Sequence, residues 1–246
     1  MPRARQSILR RGITTDLFYM VFNGHFLGVY LARLSTPVAA RFDAQLAELG
    51  LYDGLYRAQL AGLPAWQQFV LALLAIDLLQ WCIHNMLHRV PALWEVHKVH
   101  HSIETMDFMG SMRFHWGEVI VYKSLGYPIA ALLGASGEVL FALAVFNTAI
   151  GHFNHSNLRV GIGPLKYLFN NPAMHVWHHE HTGRQPMVNF GITLSIWDYL
   201  FRTAHVASAP PTRLGFDKIE RFPSSAIGQL LHPLPIERLL TGRASS

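Results

Sequence analysis

The sequence predicts an all-α integral membrane protein, with about four membrane-embedded helices and a histidine-rich, metal-holding helical cap on the cytosolic side. Three observations carry that expectation. The 246 residues are 51% hydrophobic and only 14% charged, well below the roughly one quarter of charged residues usual in soluble domains. The apolar residues gather into long stretches broken by Pro and Gly. Many of the fifteen histidines recur at intervals of three and four, which put side chains on one face of a helix.

The first stretch, ITTDLFYMVFNGHFLGVYLARL (residues 13–34), is about the ~20 residues that a spanning helix needs. No small-residue cleavage site follows it, so it is not read as a removable signal. The second, WQQFVLALLAIDLLQWCIHNMLH (residues 66–88), is densely apolar from Phe69 to Trp81. The run 119–153 is divided by Pro128 and the Gly134–Gly137 stretch into two short helices, a hairpin dipping into or just crossing the bilayer. AIGQLLHPLPIERLL (residues 226–240) is apolar enough to lie along a membrane surface. Arg3, Arg5, Arg10 and Arg11 precede the first stretch, loop 35–64 has only Arg41 and Arg57, and the chain after about 155 is again basic. Both termini and both histidine clusters are therefore expected on the cytosolic side. Arg outnumbers Lys sixteen to four, which points to a bacterial chain and its inner membrane. No repeat or Gly/Ser linker divides the sequence, so residues 1–246 read as one domain. The competing reading of the same stretches is the buried helical core of a soluble protein.

The single cysteine, Cys82, excludes an intrachain disulfide and a four-cysteine metal site. It reads as a small buried apolar residue. The net charge of +5 is dispersed. Without aromatic-interleaved basic stripes, nucleic acid is a poor partner, and anionic lipid explains the excess better. His84 and His88 are four apart; His97, His100 and His101 form one cluster, and His175, His178 and His179 repeat it. His152 and His155 add a pair. Ten imidazoles exceed the roughly four to six ligands of one ion, and suit iron, zinc, copper or nickel rather than magnesium or calcium. There is neither HExxH nor GxSxG. A nitrogen-rich pair of iron ions can activate O2 and attack an unactivated C–H bond, which makes sense beside lipid chains. Asp77, an acid inside an apolar stretch, is expected to orient a ligand imidazole. Two other readings stand beside this one. A zinc-dependent membrane hydrolase would use the same histidines with Glu95, Glu104 or Glu180 as acid/base. A metal transporter fits less well, because the histidines gather at one side.

Several motifs in fixed order resemble the fatty acid hydroxylase (sterol desaturase) superfamily of membrane di-iron enzymes. They are DLLQWCIHNMLHR, WEVHKVHHS, HFNHSNLR followed by GPLKYLFNNPAMHVWHH, and NFGITLSIWDYLFRT, spanning about Asp77 to Thr203. The resemblance implies a mostly helical membrane protein with two iron ions, for which zinc can substitute, held on the cytosolic side beneath an apolar channel. It implies as ligands His84, His88, His97, His100, His101, His155, His175, His178 and His179, with His152 as a tenth. The implied reaction uses O2 and external electrons to hydroxylate or desaturate a lipid. No cytochrome module or iron–sulfur cysteines accompany these motifs, so a separate cytochrome, ferredoxin or reductase is expected to supply electrons. Asn157 and Asn189 are expected to hydrogen-bond a metal-bound water or a ligand, and Trp197 and Asp198 to pack beneath the metals. Asn85 and Arg202 depart from the family pattern without touching its ligands. His115 and Glu118, in SMRFHWGE, are candidate pocket or ligand-supporting residues. His25, His181, His205 and His232 read as packing, supporting or surface residues.

Overall fold

The computed structural model describes residues 5–51, 60–181 and 187–234. Among them there is no strand, and two isolated bridges, Phe169–Leu194 and Glu180–Leu214, are the only extended pairings. Gly12, at φ 84°, precedes α1 (Ile13–Val21), which runs through a π-helical turn (Phe22–Leu27) into α2 (Gly28–Glu48). The first apolar stretch thus belongs to a longer helical run that takes in much of the expected loop after it.

Pro64 sits outside α3 (Ala65–Arg89) in an extended conformation and opens it. The following proline closes it: a residue before proline is pushed out of the helical region, and Val90 sits at φ −95°, ψ 114°. Pro91 then starts α4 (Pro91–His101) at its first turn, where its missing N–H costs nothing. This elbow folds α4 back against α3. Helix α5 (Trp116–Leu133) and α6 (Gly137–Asn154) are the two helices expected of this run, each packed against α3. Pro128 does not divide the run as expected, because α5 continues through it and the break falls after Leu133. Gly134 turns the chain between them at φ 58°, and the Ser136 hydroxyl caps α6 by accepting from the Val139 N–H. Short helices α7 (Pro172–His178), α8 (Ile196–Leu200) and α9 (Ala226–Leu231) complete the described chain.

Ala72 and Leu73 of α3, Leu143 of α6 and Leu194 form a buried core, flanked by Phe69, Phe146, Phe169 and Trp197. Apolar side chains elsewhere are bare: Phe26 and Tyr30 on the N-terminal run, Trp66 on α3 and Phe141 on α6 are each more than 60% exposed. Of the described helices, α3 alone is long and apolar enough to cross a membrane. The expectation of about four embedded helices is met by that measure once. Helices α5 and α6 have 18 residues each and carry Glu118 and Lys123, or Asn147, His152 and Asn154, within that length. Of the stretch 226–240, residues beyond Leu234 lie outside the described residues. The part described is α9, held by buried Gln229, which donates to the Pro223 carbonyl and to Ser102 Oγ. Cys82 is exposed rather than buried.

Candidate metal centre

Nine histidines meet where the C-terminal half of α3, α4, the end of α6 and α7 converge, and none is more than 4% exposed. They form two groups, His84, His88, His97, His101 and His178 in one, and His100, His155, His175 and His179 in the other. Within each group the candidate ligand atoms all lie within 4.8 Å of one another. Each H-x-x-H-H is split. The i,i+4 pair His97/His101 on α4 faces one group while His100 turns to the other; His175 and His179 from α7 join His100, and His178 crosses back. The groups share a wall, with His101 and His179 stacked at 4.6 Å between ring centroids and His97 and His100 stacked at 5.4 Å.

Hydrogen bonds orient the rings. His84 Nδ1–H donates to the Phe190 carbonyl (2.8 Å), His178 to Val188 (2.8 Å), His100 to Arg113 (3.2 Å), His155 to Gly151 (2.9 Å), and His97 to the Glu118 carboxylate (2.9 Å). With the proton on Nδ1, each Nε2 presents a lone pair. Yet His84 and His97 bring Nε2 atoms to 3.2 Å, and His100 and His155 bring theirs to 3.3 Å. Two lone pairs so placed repel; neither nitrogen can donate to the other. A cation between them removes the conflict. Around an ion with roughly 2.1 Å metal–imidazole bonds, nitrogens at right angles lie about 3.0 Å apart. The remaining contacts, His88 with His97 and His101 (3.1 Å each), His175 with His155 (3.1 Å) and with His179 (3.2 Å), match that edge. His178 Nε2 is buried with no hydrogen-bond partner, as a ligand atom would be. Burial, reinforced by neighbouring imidazoles, pushes His97, His100, His101, His175 and His179 well below the ordinary histidine range. Burial likewise pushes His155 down to about 4. The neutral, ligating form is therefore the resident one. The donor set and its spacing fit a pair of transition-metal ions.

The 187–198 segment supplies two of the orienting carbonyls, and two buried acids hold it. Asp198 accepts from the backbone N–H groups of Phe190 (2.9 Å) and Gly191 (2.8 Å), from Trp81 Nε1 (3.0 Å) and from the Thr203 hydroxyl (2.6 Å). Asp77 accepts from the N–H groups of Thr193 (3.0 Å) and Leu194 (3.1 Å) and from Trp197 Nε1 (3.0 Å). Asp77 thus braces the segment, and none of these bonds goes to a histidine as the sequence suggested. Asn189, at φ 54°, donates to the Met174 and His205 carbonyls (2.8 and 2.9 Å). It ties the segment to α7 and spends its amide there rather than on an imidazole.

His152 belongs to neither group; its Nδ1 lies 2.6 Å from Ser111 Oγ and 2.9 Å from the Phe108 carbonyl oxygen. Three residues before His155, it leaves α6 towards the Phe108–Met112 turn, whereas His155 has already left the helix at its C-cap. Asn157 is half-buried and borders a cavity of about 460 Å³ with Arg5, Arg10 and Met106. His115 faces the Leu230 carbonyl (2.9 Å), His232 pairs with Glu95 (3.0 Å), His205 packs on Trp177, and His25 is exposed. His181 is outside both groups. The carbonyls of Val188, Phe190 and Arg113 carry no side-chain signal, so sequence reasoning had no means of finding them.

A family model described as fatty acid hydroxylase matches residues 69–203. The chain is 32% identical over 147 residues to the ornithine lipid hydroxylase OlsE of Rhizobium tropici, covering 60% of this chain and 44% of that protein. It is 30% identical over 161 residues to the alkylglycerol monooxygenase of Danio rerio, covering 64% and 34%. With the very-long-chain aldehyde decarbonylase GL1-10 of Oryza sativa subsp. japonica it shares 28% over 160 residues, covering 63% and 51%. The chain thus spans about a third to a half of the length of these relatives. No solved structure matches it.

Proposed function

The chain belongs to the fatty acid hydroxylase family, and on that footing we propose that it is a membrane oxygenase that hydroxylates, or desaturates, a lipid C–H bond at a pair of iron ions. The observation that carries this reading is the pair of histidine groups whose inward nitrogens face one another closer than lone pairs tolerate. When bound there, iron supplies O2 activation and hydrogen abstraction. In hydroxylation one oxygen atom enters the C–H bond, and the other leaves as water with electrons and protons from a separate donor. The nine imidazoles hold the ions, and the carbonyls of Phe190, Val188, Arg113 and Gly151 keep the ligating nitrogens aimed inward. Burial keeps bulk water from the site.

The bare apolar flanks of the N-terminal run, α3 and α6 support a membrane setting with these elements embedded in it. The histidines cluster at the C-terminal end of α3, consistent with a site at the inner leaflet of a bacterial membrane, reached through the lipid. Relatives named for ornithine lipid and alkylglycerol support a lipid substrate. The test is lipid mass spectrometry of cells expressing the chain against the His178→Ala, His179→Ala variant. A gain of one oxygen, or a loss of two hydrogens, in one lipid class is expected, dependent on O2 and a reductant. Hydrolysis that proceeds without O2 would instead assign a zinc hydrolase to the same histidines.

A further inference from the structure

Four carboxylates are buried among the described residues: Asp16, Asp77, Glu118 and Asp198. Three are saturated by permanent donors. Asp16 lies between the Arg10 and Arg113 guanidinium groups, and Asp77 and Asp198 collect backbone, indole and hydroxyl donors. Glu118, at 0% exposure, is different. Its one side-chain partner among the described residues is the neutral His97, whose Nδ1–H donates to Oε1 at 2.9 Å. Its other oxygen, Oε2, is buried with no partner. A carboxylate removed from water is costly unless paired with positive charge, and no Lys or Arg among the described residues pairs with it. His97 contributes its Nε2 to the five-histidine group. Its Nδ1 meets a carboxylate, where those of His84 and His178 in the same group meet carbonyls.

From this we infer that Glu118 is the charge-compensating residue of the metal pair, a positioning carboxylate that acts through His97 to strengthen metal binding at the five-histidine site. The inference rests on the two-metal reading above. Nine neutral imidazoles offset none of the charge of two cations, so a carboxylate one ring away is the nearest compensation the fold provides. The positive charge that Glu118 lacks in the protein alone arrives with the ion. The two ions are thereby made unequal: the one held by His84, His88, His97, His101 and His178 has an anion behind a ligand, and its neighbour has only carbonyl dipoles.

Glu118→Gln keeps the shape and the Oε1 acceptor and removes the charge. The full chain in lipid nanodiscs, stripped of metal, is titrated anaerobically with Co2+, and bound ions are counted by elemental analysis. The wild type is expected to take up two ions. In E118Q one site should weaken by about 10- to 100-fold, the usual effect of losing a ligand's outer partner, while the other is unchanged. Glu118→Asp should recover part of the loss. In a His97→Ala background E118Q should have no further effect, because the route through His97 is already cut. Metal-free E118Q should melt no lower than the metal-free wild type, since a buried charge without a partner favours unfolding. Equal Co2+ affinity in E118Q and wild type overturns the inference, as does an unfolded metal-free E118Q, which would give Glu118 to the fold instead. A wild type that binds fewer than two ions sinks the two-metal reading rather than the role of Glu118.

Discussion

Gly191 leaves no room for a side chain: a Cβ there would stand 2.8 Å from Asp198 Oδ2 and closer still to the Leu194 carbonyl oxygen. Its neighbour Phe190 offers the carbonyl that orients His84. Gly191→Ala should therefore cost about 2–4 kcal/mol, in the range of overpacked or strained buried sites, and loosen the five-histidine site along with it. Thermal unfolding and metal analysis of the same preparation check both effects. A ligand can be tested as directly. His155 is one of only four histidines in its group, so His155→Ala should bring metal content towards one ion per chain. Activity should drop by more than about 100-fold, beyond the 10–100-fold typical of losing an outer partner. Retention of both ions by His155→Ala would remove it from the ligand set.

Helix α7 carries two of the proposed ligands, His175 and His178, and a third, His179, at its C-cap, in seven residues that are too few to be stable by themselves. Its start is held by Asn171, whose side chain accepts from the Ala173 and Met174 N–H groups (3.1 and 3.2 Å), and by Pro172 at the first turn. Asn171→Ala should cost about 1 kcal/mol, a fall of roughly 2–4 °C in melting temperature for a chain of this size. Saturating metal should mask most of the change in activity, because His175, His178 and the C-cap His179 then hold the helix in place. The α3–α4 elbow belongs to this scale as well. Proline following Val90 forces the turn, and the turn is what brings His84 and His88 against His97 and His101.

Across the whole molecule, the N-terminal segment is tied to the metal region through charge. Arg113 donates to Asp16 and also to the Ser102 and Gly12 carbonyls (3.1 and 3.2 Å), while its own carbonyl receives His100. Arg10 meets Asp16 from the other side at 2.6 Å. Asp16→Asn leaves the buried Arg113 without an anion and Arg10 with only Asp107, at 3.5 Å, which should cost about 3–5 kcal/mol. Because Asp16 lies outside the stretch that matches the family, the same variant tests whether that stretch depends on the N-terminal helix. Chemical unfolding measures the cost. Loss of Co2+ binding at the four-histidine group would show the linkage to His100.

The helical class, the break at the Gly134–Gly137 stretch and the nine clustered histidines were legible in the sequence, because helix periodicity, glycine geometry and imidazole chemistry act over a few residues. The break expected at Pro128 was not made, since α5 runs through it. Sequence spacing also offered His152, and sent Asp77 to an imidazole; both depend on what stands opposite, and the structure sets Ser111 against one and the Thr193–Leu194 backbone against the other. Only the tertiary structure divided each H-x-x-H-H between two groups, since that division depends on how α4 and α7 face each other. It alone brought the Phe190, Val188 and Arg113 carbonyls to the rings and left Glu118 with one oxygen unanswered. Local rules choose which residues can bind metal; the packing of distant segments decides which nitrogen each one turns inward, and what charge stands behind it.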